Sequence, residues 1–413
     1  MIDPSDRIMH IGLTINLTKI TYCIILFLFI TDLNWIILPL STRKIIGIVG
    51  FIYIALNKFR VNQNILLDIL FMYLLGGIIL FFSSILGGGE DFSFWGVLLN
   101  RIFIALGGYY IYAKWKNYSL EEFLKQYVNI VLINDLIALL LFLSPTLNSI
   151  AVYLQPVSEN AAELFSGLRL IGIGAFRFFE GGIFNALALI CIVFLYLKKV
   201  FSVKKAFGYF SLILFLGMFI ARTTMLGLVA FLFVLSPSFS NFKRLWKLGI
   251  LLLMGVVGIF LVLNILLQDS EVMKFAFELI LNIIDKGEFA TKSTNGLLTM
   301  YIFPDSWKTW LIGDGMWMQN GYYYMSTDVG YCRLLFLWGI IGTLIFFSFT
   351  FSLSRKSMFN QSKLNKNLVK ILFLFLLIIN VKGFSDFTFL YFPVLFYLQR
   401  EKEFFLNSCI YLR

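Results

Sequence analysis

A small set of charged residues stands where charge is costly or unexpected: Arg101, Arg169, Arg177, Arg222, Asp328 and Arg333. Arg101 lies inside the apolar run Leu98-Leu99-Asn100-Arg101-Ile102-Phe103. A guanidinium at that depth faces a cavity or reaches back to an interface. It reads either as a cation for a phosphate or as a snorkelling side chain paired with Asp91. Arg169 and Arg177 flank a glycine-bearing stretch, Leu170-Ile171-Gly172-Ile173-Gly174-Ala175-Phe176, and Phe178-Phe179-Glu180-Gly181-Gly182 follows. Arginine binds phosphate oxygens two at a time, and glycine lets backbone approach a ligand. A diphosphate is one reading of this stretch, and an ion pair with Glu163 or Glu180 is the other. Arg222 sits at a hairpin tip, Ile220-Ala221-Arg222-Thr223-Thr224, suited to a lipid diphosphate or to anchoring at an interface. Asp328, with Arg333 shortly after it, is either a carboxylate for sugar hydroxyls or a base, or a helix cap. Asp135 and Asp386 are weaker candidates. Trp307, Trp310, Trp317 and Tyr322-Tyr323-Tyr324 suit stacking on sugar rings, or an interfacial aromatic belt. Together these residues suit an anionic, lipid-linked substrate with a polar sugar head group.

The elements that must position them are membrane spans. The chain has 413 residues, 60% hydrophobic and only 14% charged, against about 25% charged in a soluble domain. One water-soluble core could not hide so much apolar surface. Apolar blocks run over 20–38, 45–56, 65–86, 94–113, 128–144, 181–197, 206–220, 224–236, 248–267, 329–351, 368–381 and 384–398. Each span needs about 20 residues, fewer where flanking Lys or Arg snorkel. The expectation is an all-α polytopic integral membrane protein, one domain over residues 1–413, with about 12 transmembrane helices (10–12). The first block lacks a small-residue cleavage site and reads as a retained span.

Lys and Arg in the short loops orient the bundle. Lys58 and Arg60, then Lys114, Lys116 and Lys125, Lys198 to Lys205, Lys243, Arg244 and Lys247, and Arg355 to Lys370 all fall in even-numbered loops. Those loops and both termini are therefore expected in the cytoplasm, with Arg43-Lys44 the exception. The outer side carries a segment at about 145–180 and a large periplasmic loop at about 268–327 before the tenth span, with an amphipathic stretch at Val272–Ile284. A loop that long is uncommon as a mere connection. The cytoplasmic loops are short and contain neither G-x-x-x-x-G-K nor D-x-D, so the chemistry belongs to the outer face.

Other classes are disfavoured. The net charge of +11 is spread between apolar blocks, where it suits membrane lipids rather than nucleic acid. The lone His10 excludes a histidine metal site, and Cys23, Cys191, Cys332 and Cys409 have no paired spacing. No metal or other cofactor is required if arginines neutralise the diphosphate. The matched interrupted halves of an inverted-repeat transporter are not visible.

Three stretches carry a resemblance to the bacterial O-antigen polymerases (Wzy) and the related O-antigen ligases. Ala221-Arg222-Thr223-Thr224-Met225-Leu226-Gly227 is similar to the family's S-R-T-x-x-L-x turn. Leu311-Ile312-Gly313-Asp314-Gly315 is similar to the G-x-G that closes the large loop, and Asp328, Gly339 and Gly342 keep the spacing of the third motif. The ligases carry His-Asn where this chain has Asp328-Val329, which favours polymerase over ligase. The polymerase spacing of Arg followed ten residues later by Gly is not matched at Arg169 or Arg177. The resemblance implies a glycosyltransferase that polymerises undecaprenyl-diphosphate-linked oligosaccharide repeat units at the periplasmic face of the bacterial inner membrane. It implies catalytic roles for Asp328 and Arg222, and substrate binding by Arg101, Arg169, Arg177, Arg222 and Arg333. Implied partners are membrane lipids, a chain-length regulator and a repeat-unit flippase. A lipid-linked oligosaccharide flippase and an O-antigen ligase remain the alternatives.

Overall fold

The computed structural model describes residues 4–57, 64–154, 169–235 and 291–410, with isolated positions between 246 and 287. The expected span at 248–267, most of the amphipathic stretch at 272–284, and Glu163, Lys58, Arg60, Lys243, Arg244 and Lys247 lie outside the described residues. The described chain is a helical bundle: α1 (Pro4–Thr31), α2 (Thr42–Leu56), α3 (Asn64–Gly87), α4 (Ser93–Lys114), α5 (Leu120–Leu143), α6 (Pro145–Leu154), α7 (Phe178–Leu197) and α8 (Val203–Ile220). A 3₁₀ segment (Arg222–Leu235) follows, then α9 (Lys292–Thr299), α10 (Trp307–Ile312), α11 (Gly330–Met358), α12 (Lys363–Ile379) and α13 (Thr388–Ile410). Two short antiparallel strands, β1 (Met318–Gln319) and β2 (Tyr322–Tyr323), form a hairpin. Among the described residues α3, α4, α5, α7, α8 and α11 are long and apolar enough to cross a membrane.

Helix boundaries follow local chemistry as well as hydropathy. The fifth block, expected from Val128, begins earlier, at Leu120. Ser119 accepts a hydrogen bond from the Glu122 amide, and Glu121 and Glu122 sit at the positive helix end. The first block, expected to Leu38, stops at Thr31, whose carbonyl accepts from Ala175 N at 2.7 Å. The outer segment at 145–180 contains α6, which hydropathy alone did not separate from a loop.

The core centres on α7, whose side chains are all buried from Gly181 to Leu197. It lies against α5, α8, α12 and the 3₁₀ segment. A helix apolar on every side must be surrounded by protein or lipid, and here protein surrounds it. Its N-terminus therefore opens into the interior of one end of the bundle. At that end Leu170 N bonds Phe219 O at 3.1 Å and Tyr331 N bonds Asn380 O at 3.1 Å. The opposite end carries the basic loops, with Lys198 paired to Glu121 at 3.0 Å and Gln361 Nε2 donating to Leu398 O at 2.6 Å.

Close approach of α2 and α4 rests on missing side chains. A Cβ at Gly50 would fall 2.4 Å from Leu106 O, and one at Gly47 would fall 2.5 Å from Phe103 O. Small residues let membrane helices touch through their backbones. Gly50→Val forces the pair apart and is expected to destabilise the protein by about 1–3 kcal/mol, a typical overpacking cost. Thermal unfolding in detergent reads this as a lowered midpoint, and an unchanged midpoint contradicts the packing described.

Candidate functional site

A cavity of about 580 Å³ opens at the N-terminal end of α7, lined by Arg177, Glu180, Asp328, Arg333 and Lys382 together with Phe178, Phe179, Tyr323 and Phe384. The charged side chains arrive from three places: Arg177 and Glu180 at the start of α7, Asp328 and Arg333 at the start of α11, and Lys382 after α12. Arg177 is the residue before α7, and no side chain caps that helix end, so its partial positive charge adds to the field of the cavity. Phe178 holds φ 46°, a conformation costly for a bulky residue that sets Arg177 and Glu180 on either side of the turn.

Lys382 stands on the turn between α12 and α13. Asn380 builds that turn, its side-chain amide donating to Leu376 O and to Ser385 O, both at 2.8 Å. Lys382 Nζ donates to Thr223 Oγ1 at 3.0 Å. Burial, with Arg222 and Arg169 nearby, pushes the Lys382 ammonium down to about 8. Lys382 was not among the expected site residues, although a lysine on a connection expected on the outer side breaks the same topological rule that singled out Arg169 and Arg177.

Arg333 is held from above and below. Its guanidinium lies 3.4 Å from the centroid of Trp317 and 3.5 Å from that of Tyr323. Such stacking is favourable for arginine, yet Nε and Nη2 are buried with no hydrogen-bond acceptor among the described residues. Arg177 Nε is likewise without an acceptor there, and burial pushes its guanidinium below the usual arginine range. Stranded donors cost about 1–3 kcal/mol each.

The loop bearing Trp317 is clamped by the second and third motifs. Gly313, Gly315 and Gly339 all take positive φ, and a Cβ at Gly339 would lie 2.3 Å from the Leu311 carbonyl carbon. Asp91 accepts from Trp317 N at 2.7 Å and Met318 N at 2.6 Å. Although burial alone would raise it, these bonds and those from Ser93 hold the Asp91 carboxyl below its ordinary value. Asp314 accepts from Thr309 Oγ1 at 2.7 Å.

A second, tighter cavity of about 40 Å³ adjoins the first, lined by Arg43, Arg101, Glu180 and Asp386. Arg101 Nε lies 2.7 Å from Asp386 Oδ2. The alternative partner Asp91 is engaged with the loop instead. Arg43, the exception among the basic loops, is explained here. Its Nε and Nη2 each donate at 2.8 Å to the Phe29 and Ile30 carbonyls ending α1, and Nη1 lies 3.3 Å from Asp32. A cation at a helix C-terminus is favourable. Glu180 lines both cavities, and its side chain is exposed to that space rather than packed in the core.

Of the expected residues, Arg177, Asp328 and Arg333 come together in the larger cavity, and Arg101 lies in the smaller one. Arg222 is ion-paired with Glu278, so it is not a lone cation, and it feels Arg169 nearby. Arg169 stands 6.0 Å from the Phe178 ring centroid. The capping alternative for Asp328 does not hold. Val329 occupies the N-cap of α11 with no side-chain capping bond, and Thr327 Oγ1 accepts from its amide at 3.2 Å. Asp135 is buried on α5 away from both cavities. Among the aromatics, Tyr323 and Trp317 belong to the site, Tyr324 bonds Asp314 at 3.3 Å, Trp310 stacks on Phe303, and Tyr322 and Trp307 are exposed. Comparison with family models, with characterised proteins and with solved structures finds no match to this chain.

Chemically the larger cavity is a cationic, aromatic-walled pocket with two carboxylates, suited to an anion bearing polar groups. Lys382 gives it a pH signature. The ammonium is charged below about 8 and loses its proton above it, so anion binding weakens as pH rises through that value. Titration of inorganic diphosphate by calorimetry is expected to show affinity falling about three- to tenfold between pH 7 and pH 9, the scale of one screened charge. Lys382→Met should flatten the profile. The stability contribution has the opposite sign. With the folded value depressed below the free lysine's 10.5, stability rises with pH between about 8 and 10.5, where the unfolded chain binds the extra proton.

Proposed function

We propose that this chain is a glycosyltransferase of the O-antigen polymerase type, joining undecaprenyl-diphosphate-linked oligosaccharide repeat units at the periplasmic face of a bacterial inner membrane. The observation that carries the reading is the convergence of Arg177, Arg333 and Lys382 with the carboxylates Asp328 and Glu180 around one cavity. A polymerase must hold a diphosphate as leaving group and a sugar hydroxyl as acceptor, and these are the two chemistries that such a lining serves.

In this reading the growing glycan leaves its lipid diphosphate and is transferred to the terminal sugar of a newly delivered unit. Arg177, Arg333 and Lys382 stabilise charge as it develops on the departing diphosphate. Preorganised cations in a site shielded from bulk water stabilise developing charge more than they would in water. Arg222 and Arg169 extend the positive field towards Lys382, and Arg101 acts through Asp386 on the shape of the adjoining cavity. Asp328 contacts the acceptor sugar, and Trp317 and Tyr323 hold the Arg333 guanidinium at a fixed angle. The basic loops at the opposite end of the bundle support a cytoplasmic placement for that end. The full reading has about 12 spans, with both termini in the cytoplasm.

The test is a gel of surface polysaccharide from a strain lacking the chain, complemented with wild type or variants. Loss of the chain should collapse the ladder to core plus one repeat unit. Arg177→Ala and Arg333→Ala should each reduce polymer at least about a hundredfold, the scale of removing one donor to developing charge, and Arg222→Ala should shorten or deplete it. Complete loss with long lipid-linked polymer accumulating would instead mean ligase. Complete loss with single repeats held on the cytoplasmic side would mean flippase. An unchanged ladder rules out all three.

A further inference from the structure

The geometry points to Glu180 as the general base of the transfer, the group that takes the proton from the acceptor sugar hydroxyl, with Asp328 left to orient that sugar. This inference rests on the polymerase reading of the site.

Glu180 occupies the first turn of α7, one residue before the stretch from Gly181 to Leu197 that is buried throughout, so the helix that carries it is anchored by packing. Rigid elements hold catalytic groups to the tolerance that chemistry requires. Its carboxylate stands at the junction of the two cavities. On the inner side it faces Arg43, paired with Asp32, and Arg101, paired with Asp386. Each of those pairs is internally neutral. The two cations and three carboxylates of this cluster therefore leave one surplus negative charge, and Glu180 is the member not in a close ion pair among the described residues. On the outer side Arg177 lies near enough to interact with it, and Asp328, Arg333 and Lys382 share the cavity wall. Asp328 also has no close ion pair among the described residues, but it stands outside the helix, before the Val329 N-cap of α11, with its charge acting on Arg333. A carboxylate outside any close ion pair among the described residues, mounted on an anchored helix and open to the cavity, is placed to accept a proton.

The step balances without a co-reactant. The acceptor hydroxyl oxygen forms a bond to the anomeric carbon of the donor glycan as the bond from that carbon to the diphosphate oxygen breaks. The bonding pair stays on the diphosphate, facing Arg177, Arg333 and Lys382. The hydroxyl proton passes to Glu180 and leaves to water once the product has moved on.

The experiment uses the full chain in proteoliposomes with lipid-diphosphate-linked repeat units extracted from a strain lacking it. Glu180→Gln should lower kcat by about 10²- to 10⁴-fold, the range for losing a general base. KM should stay within about threefold, and inorganic diphosphate should bind at least as tightly, since a negative charge has been removed. Wild-type kcat should fall on the acid side as the carboxylate is protonated, and the residual Glu180→Gln rate should lack that limb. Glu180→Asp should retain the limb at reduced rate. Asp328→Asn should instead raise KM with the limb intact. A Glu180→Gln kcat within tenfold of wild type overturns the inference, as does a joint loss of diphosphate binding and rate. If Glu180→Gln does not fold, the wild-type profile decides: a rate independent of pH between about 4 and 8 overturns it. Wild-type protein that binds the lipid-linked units and never joins them defeats the polymerase reading itself, an outcome separate from the failure of Glu180 alone.

Discussion

Burying charge inside an apolar bundle is the constraint on which this structure turns. Removing an ion from water costs several kcal/mol unless a partner or hydrogen bonds replace the solvent. The chain meets that cost differently at different arginines. Arg43 is saturated by two carbonyls and Asp32, and so ties α1 to α2. Arg101 is paired with Asp386, and so ties α4 to the start of α13. These contacts are structural, and they close the bundle behind the larger cavity. Arg177 and Arg333 retain buried N–H groups without acceptors among the described residues. Their cost is tolerated at one place, where the wall is concave.

That place is held open by a second constraint, the close approach of loop and helix at glycine. Gly313 and Gly339 meet with no room for a Cβ on either, and Gly315 presses on Ser84 at the end of α3. Asp91 fastens the amides of Trp317 and Met318. The glycines thus act at a distance from the cavity, by fixing Trp317 against Arg333. The stretch Leu311 to Gly315 and the stretch holding Gly339 and Gly342 are in this sense one mechanical unit.

Much of the framework was legible in the sequence because hydropathy is a local property. The helices α3, α4 and α8 fall within a few residues of their apolar blocks. The departures arise where another effect wins. Ser119 and the two glutamates after it start α5 early, and the bond from Ala175 marks where α1 stops. The site was legible in part for the same reason: Arg177, Asp328 and Arg333 stand out by violating a pattern. Pairing was not legible. Asp386 is distant from Arg101 in sequence, and Asp91, which is near, looked the better partner. Glu180 was read only as a counter-ion, since its place between two cavities depends on elements contributed by α2, α4 and the turn before α13.

The division between saturated and unsaturated arginines also bears on orientation. Arginine is disfavoured on the translocated side of a membrane protein, so in the proposed orientation each such residue needs a compensating contact or a use. Arg43 has its contact within the fold, in the carbonyls that end α1. Arg169 and Arg222 stand close enough to each other and to Lys382 to repel, while Glu278 offsets the charge of Arg222. In the proposed function that repulsion is relieved by an anion of more than one charge, and a diphosphate touches several cations at once. The same argument accounts for the aromatic walls. Trp317 and Tyr323 give Arg333 a favourable environment while its Nε and Nη2 stay without acceptors among the described residues.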